Sequence, residues 1–189
     1  MAVLTGADFF TVEVLTWRGL ITYYVLFFLH LETRRVSLAG ITRHPTEEWM
    51  NQIGRNKTDE TSGYLHQQRY VLHDRDAKFC KEFRETLAAG GVKCLRLPAR
   101  SPNLNAFAER WVRSIKEECL SKLILFGEGS LTRALTQFQE HYLFERNHQG
   151  KANMLLFTRT DELAEIPGPS IESRERVGGL LKYYYRRAA

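Results

Sequence analysis

The chain has 189 residues, 43% of them hydrophobic and 26% charged, a mixture that excludes a disordered or collagen-like polymer and favours one domain, or one domain plus a tail. Twenty-seven Lys and Arg against 22 Asp and Glu give a formal charge of +5, compatible with an anionic partner without specifying one. Cys80, Cys94 and Cys119 are widely spaced and form no CxxC pair, which argues against a disulfide framework or a structural zinc site. The strongly apolar run Leu20–Leu29 has ten residues, too few to span a bilayer, and the N-terminus carries no secretion signal, so a soluble intracellular domain is expected.

In chain order, Asp8–Thr16, Ile21–His30 and Arg35–Ile41 are rich in aromatic and β-branched residues and joined by short connections, which predicts an antiparallel meander. The second of these has few polar interruptions, as a central strand buried on both faces would. Pro45, followed by Thr46, Glu47 and Glu48, predicts the first turn of a short helix carrying Trp49, Met50 and Ile53. Residues 54–68 read as fraying helix and loop, and Arg69–His73 as a brief strand running into Asp74.

From Asp76 the period becomes helical, with Phe79, Phe83 and Leu87 four apart, Asp76 as the expected cap and Gly90-Gly91 as the stop. Val92–Leu97 is a further strand. Ser101-Pro102 predicts a cap and first helical position for a helix reaching about Cys119, and Ser130 the cap of a last helix. Pro167–Ala189 shows no sustained period and is expected to be a basic, aromatic tail (166–189) behind a core of residues 1–165. Trp17, Trp49 and Trp111 are expected in the core, and His73 in strand-end packing. The order of elements predicts an α/β fold: a five-stranded mixed sheet, three antiparallel strands followed by strands alternating with helices, flanked by helices.

Three acids stand at element boundaries that such a sheet brings together: Asp8 opening the first strand, Asp74 ending the fourth, and Glu109 in the helix after Pro102. Three carboxylates at a water-accessible site suit Mg²⁺ or Mn²⁺. On a helical projection Leu104, Phe107, Ala108, Trp111, Val112, Ile115 and Cys119 share one arc, and Asn105, Glu109, Arg113 and Lys116 lie opposite. A carboxylate followed by two cations fits phosphoryl transfer. The same residues also fit a solvated helix face with i,i+4 ion pairs.

The segments DFFTVEV, VLHDRDAKF and SPNLNAFAERWVRSIKEEC resemble, in that order, the three acidic motifs of the integrase catalytic core, the DDE family of retroviral integrases and insertion-sequence transposases. HYLFERNHQG resembles the tyrosine/asparagine, arginine and histidine motif that closes that core, so the likeness spans roughly residues 6–157. The resemblance implies an RNase H-like fold and metal-dependent DNA 3′-end cleavage and strand transfer. It implies Asp8, Asp74 and Glu109 as catalytic and metal-binding residues for two Mg²⁺ or Mn²⁺ ions. It also implies Arg113, Lys116, Asn105 and Arg110 as DNA-binding residues, with Arg96 and Arg100 as possible extensions of a phosphate-facing surface. The implied partners are DNA, both transposon ends and target duplex, and further copies of the chain, with no membrane and no small-molecule substrate; a nucleoid-associated bacterial protein is the implied setting. Asp76, where the family usually has a small residue, competes with Asp74 for the ligand role. Ala106 also departs from the family's usual Gly.

Asp8 lies so near the first residue that no end-recognition module precedes it in this sequence, which leads to the expectation of phosphate-based DNA binding with little sequence preference. Two other readings compete: a catalytically silent DNA-binding or assembly protein derived from such a core, and an RNase H-like nuclease that only hydrolyses.

Overall fold

The computed structural model describes residues 4–98, 106–158 and 171–186. The chain forms two compact units, Met1–Arg113 and Ser114–Ala189.

The first unit is built on a five-stranded sheet in the order β3-β2-β1-β4-β5. Its strands are β1 (Leu4–Thr16), β2 (Gly19–His30), β3 (Val36–Thr42), β4 (Tyr70–His73) and β5 (Lys93–Arg96). β1 pairs antiparallel with β2, and β2 with β3, while β4 runs parallel to both β1 and β5. This is the mixed sheet predicted from the sequence. The aromatic and β-branched content of β1 and β2 suits a pleated surface packed on both sides, and Val25–Leu29 of β2 are fully buried.

Successive residues of a strand face opposite ways, and directly paired residues face the same way. Asp8 and Phe10 of β1, with their partners Phe27 and Val25, therefore share one face. Ala7 and Phe9, with Phe28 and Leu26, share the other. The Ala7 face is covered by α1 (Glu47–Thr58) and α2 (Lys81–Ala89): Met50, Ile53, Phe83 and Leu87 form one buried cluster with Ala7, Leu26, Phe28 and Val71. The Asp8 face receives α3 (Ala106–Glu118), whose Trp111 ring lies 5.6 Å from that of Phe10 and 4.5 Å from that of Phe27. Burying these large rings in mutual contact is what holds α3 to the sheet.

Several boundaries differ from the sequence reading. β1 begins at Leu4, so Asp8 is inside the strand, and β1 is already paired with β4 before its aromatic run starts. Thr46 is the N-cap of α1, accepting from the Trp49 amide at 3.3 Å, which puts Pro45 outside the helix. The α2 cap is Cys80, whose Sγ accepts from Phe83 N. Asp76 instead makes a local turn, its Oδ1 accepting from Lys78 N at 2.9 Å. The helical part of the third motif is observed from Ala106, and Ser101-Pro102 lie outside the described residues. Trp111 is core and Trp49 half-buried, as expected, but Trp17 is 92% exposed at the β1–β2 turn.

The second unit contains α4 (Gly127–Phe144) and a hairpin of β6 (Ile171–Arg176) and β7 (Leu181–Arg186). Ser130 falls in the first turn of α4 and does not cap it; its hydroxyl donates to Gly127 O at 2.9 Å. The stretch expected to be an unstructured tail thus contains ordered strands, turned through Val177, Gly178 and Gly179, all at positive φ. Val177 N donates to Gln137 Oε1 of α4.

Inside this unit a carboxylate is buried among cations. The Glu145 side chain is fully buried and accepts from Arg176 Nε and Nη2 at 2.7 and 2.6 Å, and from Arg174 Nη1 at 3.3 Å. His141 Nδ1 lies 3.3 Å from its Oε2. Burial disfavours the charged form of Glu145, yet the hydrogen bonds and charges of the two arginines outweigh it and hold its pKa below the ordinary value. Arg146 grips Glu118 through two nitrogens at 2.9 and 2.6 Å. His148 donates from Nε2 to Tyr142 O at 2.9 Å, its ring edge-on to that tyrosine. The closing motif read in the sequence therefore works here as a set of intramolecular ties.

Candidate catalytic site

The strand register decides where the first two acids stand. β1 and β4 pair in parallel from Leu4↔Tyr70 through Ala7↔His73. One residue further along come Asp8, still within β1, and Asp74, the first residue beyond β4. Continuing the alternation of the two strands assigns both to the same face. Both are half-buried. Asp8 Oδ1 accepts from Phe9 N at 2.7 Å, and Asp74 Oδ1 from Asp76 N at 3.0 Å, so local backbone amides orient each carboxylate.

Asp76 has a different environment. Its carboxylate is bound by Lys78, whose Nζ lies 5.3 Å from the Phe9 ring centroid and 5.4 Å from that of Tyr24. Phe9 and Tyr24 belong to the face opposite Asp8. Burial opposes its ionisation, but the bonds from Lys78 dominate and lower its pKa. The charge of Asp76 is thus balanced by Lys78, whereas its own amide donates to Asp74 Oδ1.

His73, just before Asp74, is buried and packs its ring 4.7 Å from that of Phe79, the strand-end role expected for it. Its Nδ1 donates to Asp74 O at 2.6 Å, which fixes the strand exit that aims Asp74. Burial depresses its pKa. His73 Nε2 and Trp111 Nε1 are buried without a hydrogen-bond partner among the described residues.

Glu109 lies in the first turn of α3 and is exposed. Trp111, two residues on, contacts Phe27, the cross-strand partner of Asp8, and Phe10, the next residue of β1 on that face. The helix bearing Glu109 thus crosses the face to which Asp8 and Asp74 belong. Arg110, Arg113 and Lys116 are all exposed on this helix, while Ala108, Trp111, Ile115 and Cys119 are buried, as the projection predicts. Asn105 and Arg100 lie outside the described residues, and Arg96 is exposed at the end of β5.

As a donor set three carboxylates, offering oxygen only, would suit Mg²⁺ or Mn²⁺, but the ligand atoms of Asp8, Asp74 and Glu109 do not lie within 4.8 Å of one another. Sequence reasoning did not single out another group. Among the described residues, Glu47, Cys80 and Glu82 bring three potential ligand atoms within 4.8 Å of one another at the N-termini of α1 and α2. Both acids there complement helix dipoles, and Cys80 caps α2. A thiol among carboxylates is a poor match for Mg²⁺. The signal for this cluster was present in the first-turn acids, read as helix starts.

No family model matches the chain, and no curated protein matches it in sequence. Solved structures do. The HTLV-2 integrase catalytic core domain in complex with magnesium is similar in its dimeric form, with a TM-score of 0.56 and 12% identity over 75% of this chain and 86% of that one. Its trimeric form gives 0.57 and 13%, over 82% and 93%. The simian T-cell lymphotropic virus intasome in complex with PP2A regulatory subunit B56 gamma gives 0.57 and 11%, over 98% of this chain and 66% of that chain. Likeness at such identities is a likeness of fold. With its sheet order, the parallel β1–β4 pair and helices on both faces, this chain has the RNase H-like fold of the retroviral integrase catalytic core.

Proposed function

We propose that the chain is a catalytic core of the integrase and transposase type, a polynucleotidyl transferase that cleaves DNA 3′ ends and joins them to target DNA. One observation supports this reading: the parallel register ending at Ala7↔His73, directly before Asp8 and Asp74, in a sheet whose Asp8 face packs against the helix bearing Glu109. Integrase-like fold, two adjacent aspartates and a third acid on the covering helix favour this chemistry over a purely structural role.

Asp8, Asp74 and Glu109 would hold two Mg²⁺ or Mn²⁺ ions. When bound, such a pair supplies activation of the attacking oxygen and charge stabilisation at the leaving oxygen of an in-line displacement. The chain's own contribution is positioning. Local amides orient the two aspartates, and His73 fixes the strand exit between β4 and Asp74. Arg110, Arg113 and Lys116, with Asn105, would contact phosphates and so set the DNA relative to the acids. DNA and further copies of the chain are the proposed partners. No described helix is long and apolar enough to cross a membrane.

The test is incubation with supercoiled plasmid and Mn²⁺, followed by addition of a pre-cut DNA end. Nicking that EDTA suppresses, plus a joined product, is the expected result. Nicking without joining identifies a hydrolytic nuclease, and binding without nicking identifies a silent DNA-binding protein; either outcome overturns the strand-transfer reading.

A further inference from the structure

β1 and β2 outrun the sheet. β4 accompanies β1 only as far as Ala7, and β3 accompanies β2 only back to Tyr24. From the pair Val12↔Tyr23 to the turn, no third strand among the described residues pairs with the hairpin. Val12, Val14 and Tyr23 are nevertheless buried, so this arm is covered on one face and exposed at its tip. Its tip is a two-residue turn, Trp17-Arg18, closed by the pair Thr16↔Gly19. Thr16 Oγ1 donates to Gly19 O at 2.8 Å and accepts from Arg18 N at 3.2 Å, and Gly19 sits at φ 100°, which favours glycine. The turn is therefore pre-organised.

What it presents is unusual for a protein surface. Trp17 is 92% exposed, and the cross-strand pair Leu15 and Leu20 is exposed beneath it, Leu20 by 67%. Arg18 is exposed beside them, and no carboxylate occurs between Val14 and Ile21. The nearest acid, Glu13, accepts a hydrogen bond from Thr22 at 3.0 Å. An aromatic ring next to an uncompensated guanidinium combines a base-stacking surface with a phosphate contact. The arm also grows from the strand that carries Asp8. Nine residues of extended chain separate Asp8 from Trp17, a reach of about 30 Å at ~3.3 Å per residue, or about nine base pairs of duplex.

We infer that the β1–β2 arm is a second DNA contact, in which Trp17 stacks on bases and Arg18 binds a phosphate about nine base pairs from the position held by Asp8. This rests on the proposed function only in taking DNA as the partner.

The test uses the full chain, acrylamide quenching of tryptophan fluorescence, and a duplex of roughly 40 bp carrying a short unpaired stretch that exposes base faces, long enough to reach both positions. Trp111 is buried and Trp49 half-buried, so Trp17 dominates the quenchable signal. The duplex is expected to shield it. Trp17→Ala is expected to weaken binding roughly 5- to 100-fold without changing the salt dependence, because a ring releases no counterions, and Trp17→Phe to restore most of it. Arg18→Ala is expected to lower the salt slope by about one.

Duplex binding that leaves Trp17 quenchable, with Trp17→Ala binding like the parent chain, would overturn the inference. So would shielding that comes without DNA, as protein concentration rises and a heavier species sediments, since the tip would then join copies of the chain. Asp74→Asn separates the two claims: it is expected to keep the shielding and lose the nicking. Shielding in a parent chain that never nicks plasmid leaves the arm standing and removes the catalytic reading. Nicking without shielding does the reverse.

Discussion

The two units are held together by different physics. In the first, rings and aliphatic chains make the core, and among the described residues its ion pairs, Lys78–Asp76 and Lys81–Glu85, keep substantial exposure. In the second, a carboxylate with no exposed surface ties the end of α4 to two arginines of β6, and a further bidentate pair joins Arg146 to Glu118. Hydrophobic burial is non-directional and leaves surface acids free for other work. A buried ion pair is directional, and losing one partner strands the other in a medium that penalises bare charge. Neutralising an acid should accordingly cost function in the first unit and stability in the second.

The largest effect expected from that contrast is at Asp74. Asp74→Asn should reduce Mn²⁺-dependent nicking to background while leaving the urea midpoint within error. Asp76→Asn should keep most of the nicking, because its charge is balanced by Lys78. Equal loss in both variants would break the assignment of roles.

Glu145→Ala should cost about 3–5 kcal/mol in urea unfolding, because Arg174 and Arg176 are left without their shared partner. Glu145→Gln, which keeps the shape and some hydrogen bonds, should cost less. A negligible loss for Glu145→Ala would show that the arginines reach solvent easily and that the second unit is less dependent on charge than its geometry indicates. Trp111→Ala gives the matching figure for the apolar unit, about 3–5 kcal/mol from ring loss and cavity formation.

Burial depresses histidines in both units, His30 and His73 in the first and His141 and His148 in the second. The second adds the fully buried carboxylate of Glu145, so acid should cost the second unit more. His141 and His148 have pKa values depressed chiefly by burial, so the folded state resists their protonation. Their contribution is complete above the unfolded value of 6.5 and is lost as pH falls from there toward the folded values. Glu145 adds a second loss below its unfolded value of 4.5, again because its folded pKa is the lower one. Hydrogen exchange in α4 and the β6–β7 hairpin, followed from neutral pH to pH ~4, should accelerate more than exchange in the β1–β2–β3 meander. Equal acceleration would sink the distinction. The smallest effect is at Lys116, an exposed cation: Lys116→Ala should lower the salt slope of DNA binding by about 0.9 and leave stability unchanged.

The sheet was readable because its strands are made of residue types that belong in strands and are separated by turn residues. That a mixed sheet brings Asp8 and Asp74 toward each other was readable from the order of elements. The register of β1 against β4 was not, because no local residue pattern encodes which residues of two distant strands pair. The β6–β7 hairpin escaped the pattern because its α4-facing residues include Arg174 and Arg176, cations where an apolar alternation was sought, and their partner Glu145 lies 29 and 31 residues away. Trp17 was misplaced for the opposite reason. Its side chain argued for the core, while its position beside Arg18-Gly19 already argued for a turn, and position prevailed.

β5 closes one side of the sheet with four residues, and its exposed side chains are Lys93 and Arg96. A short rim studded with like charges repels its counterpart in a neighbouring molecule, and its brevity offers little backbone to zip onto. Sheet extension from a neighbouring molecule is disfavoured at that border.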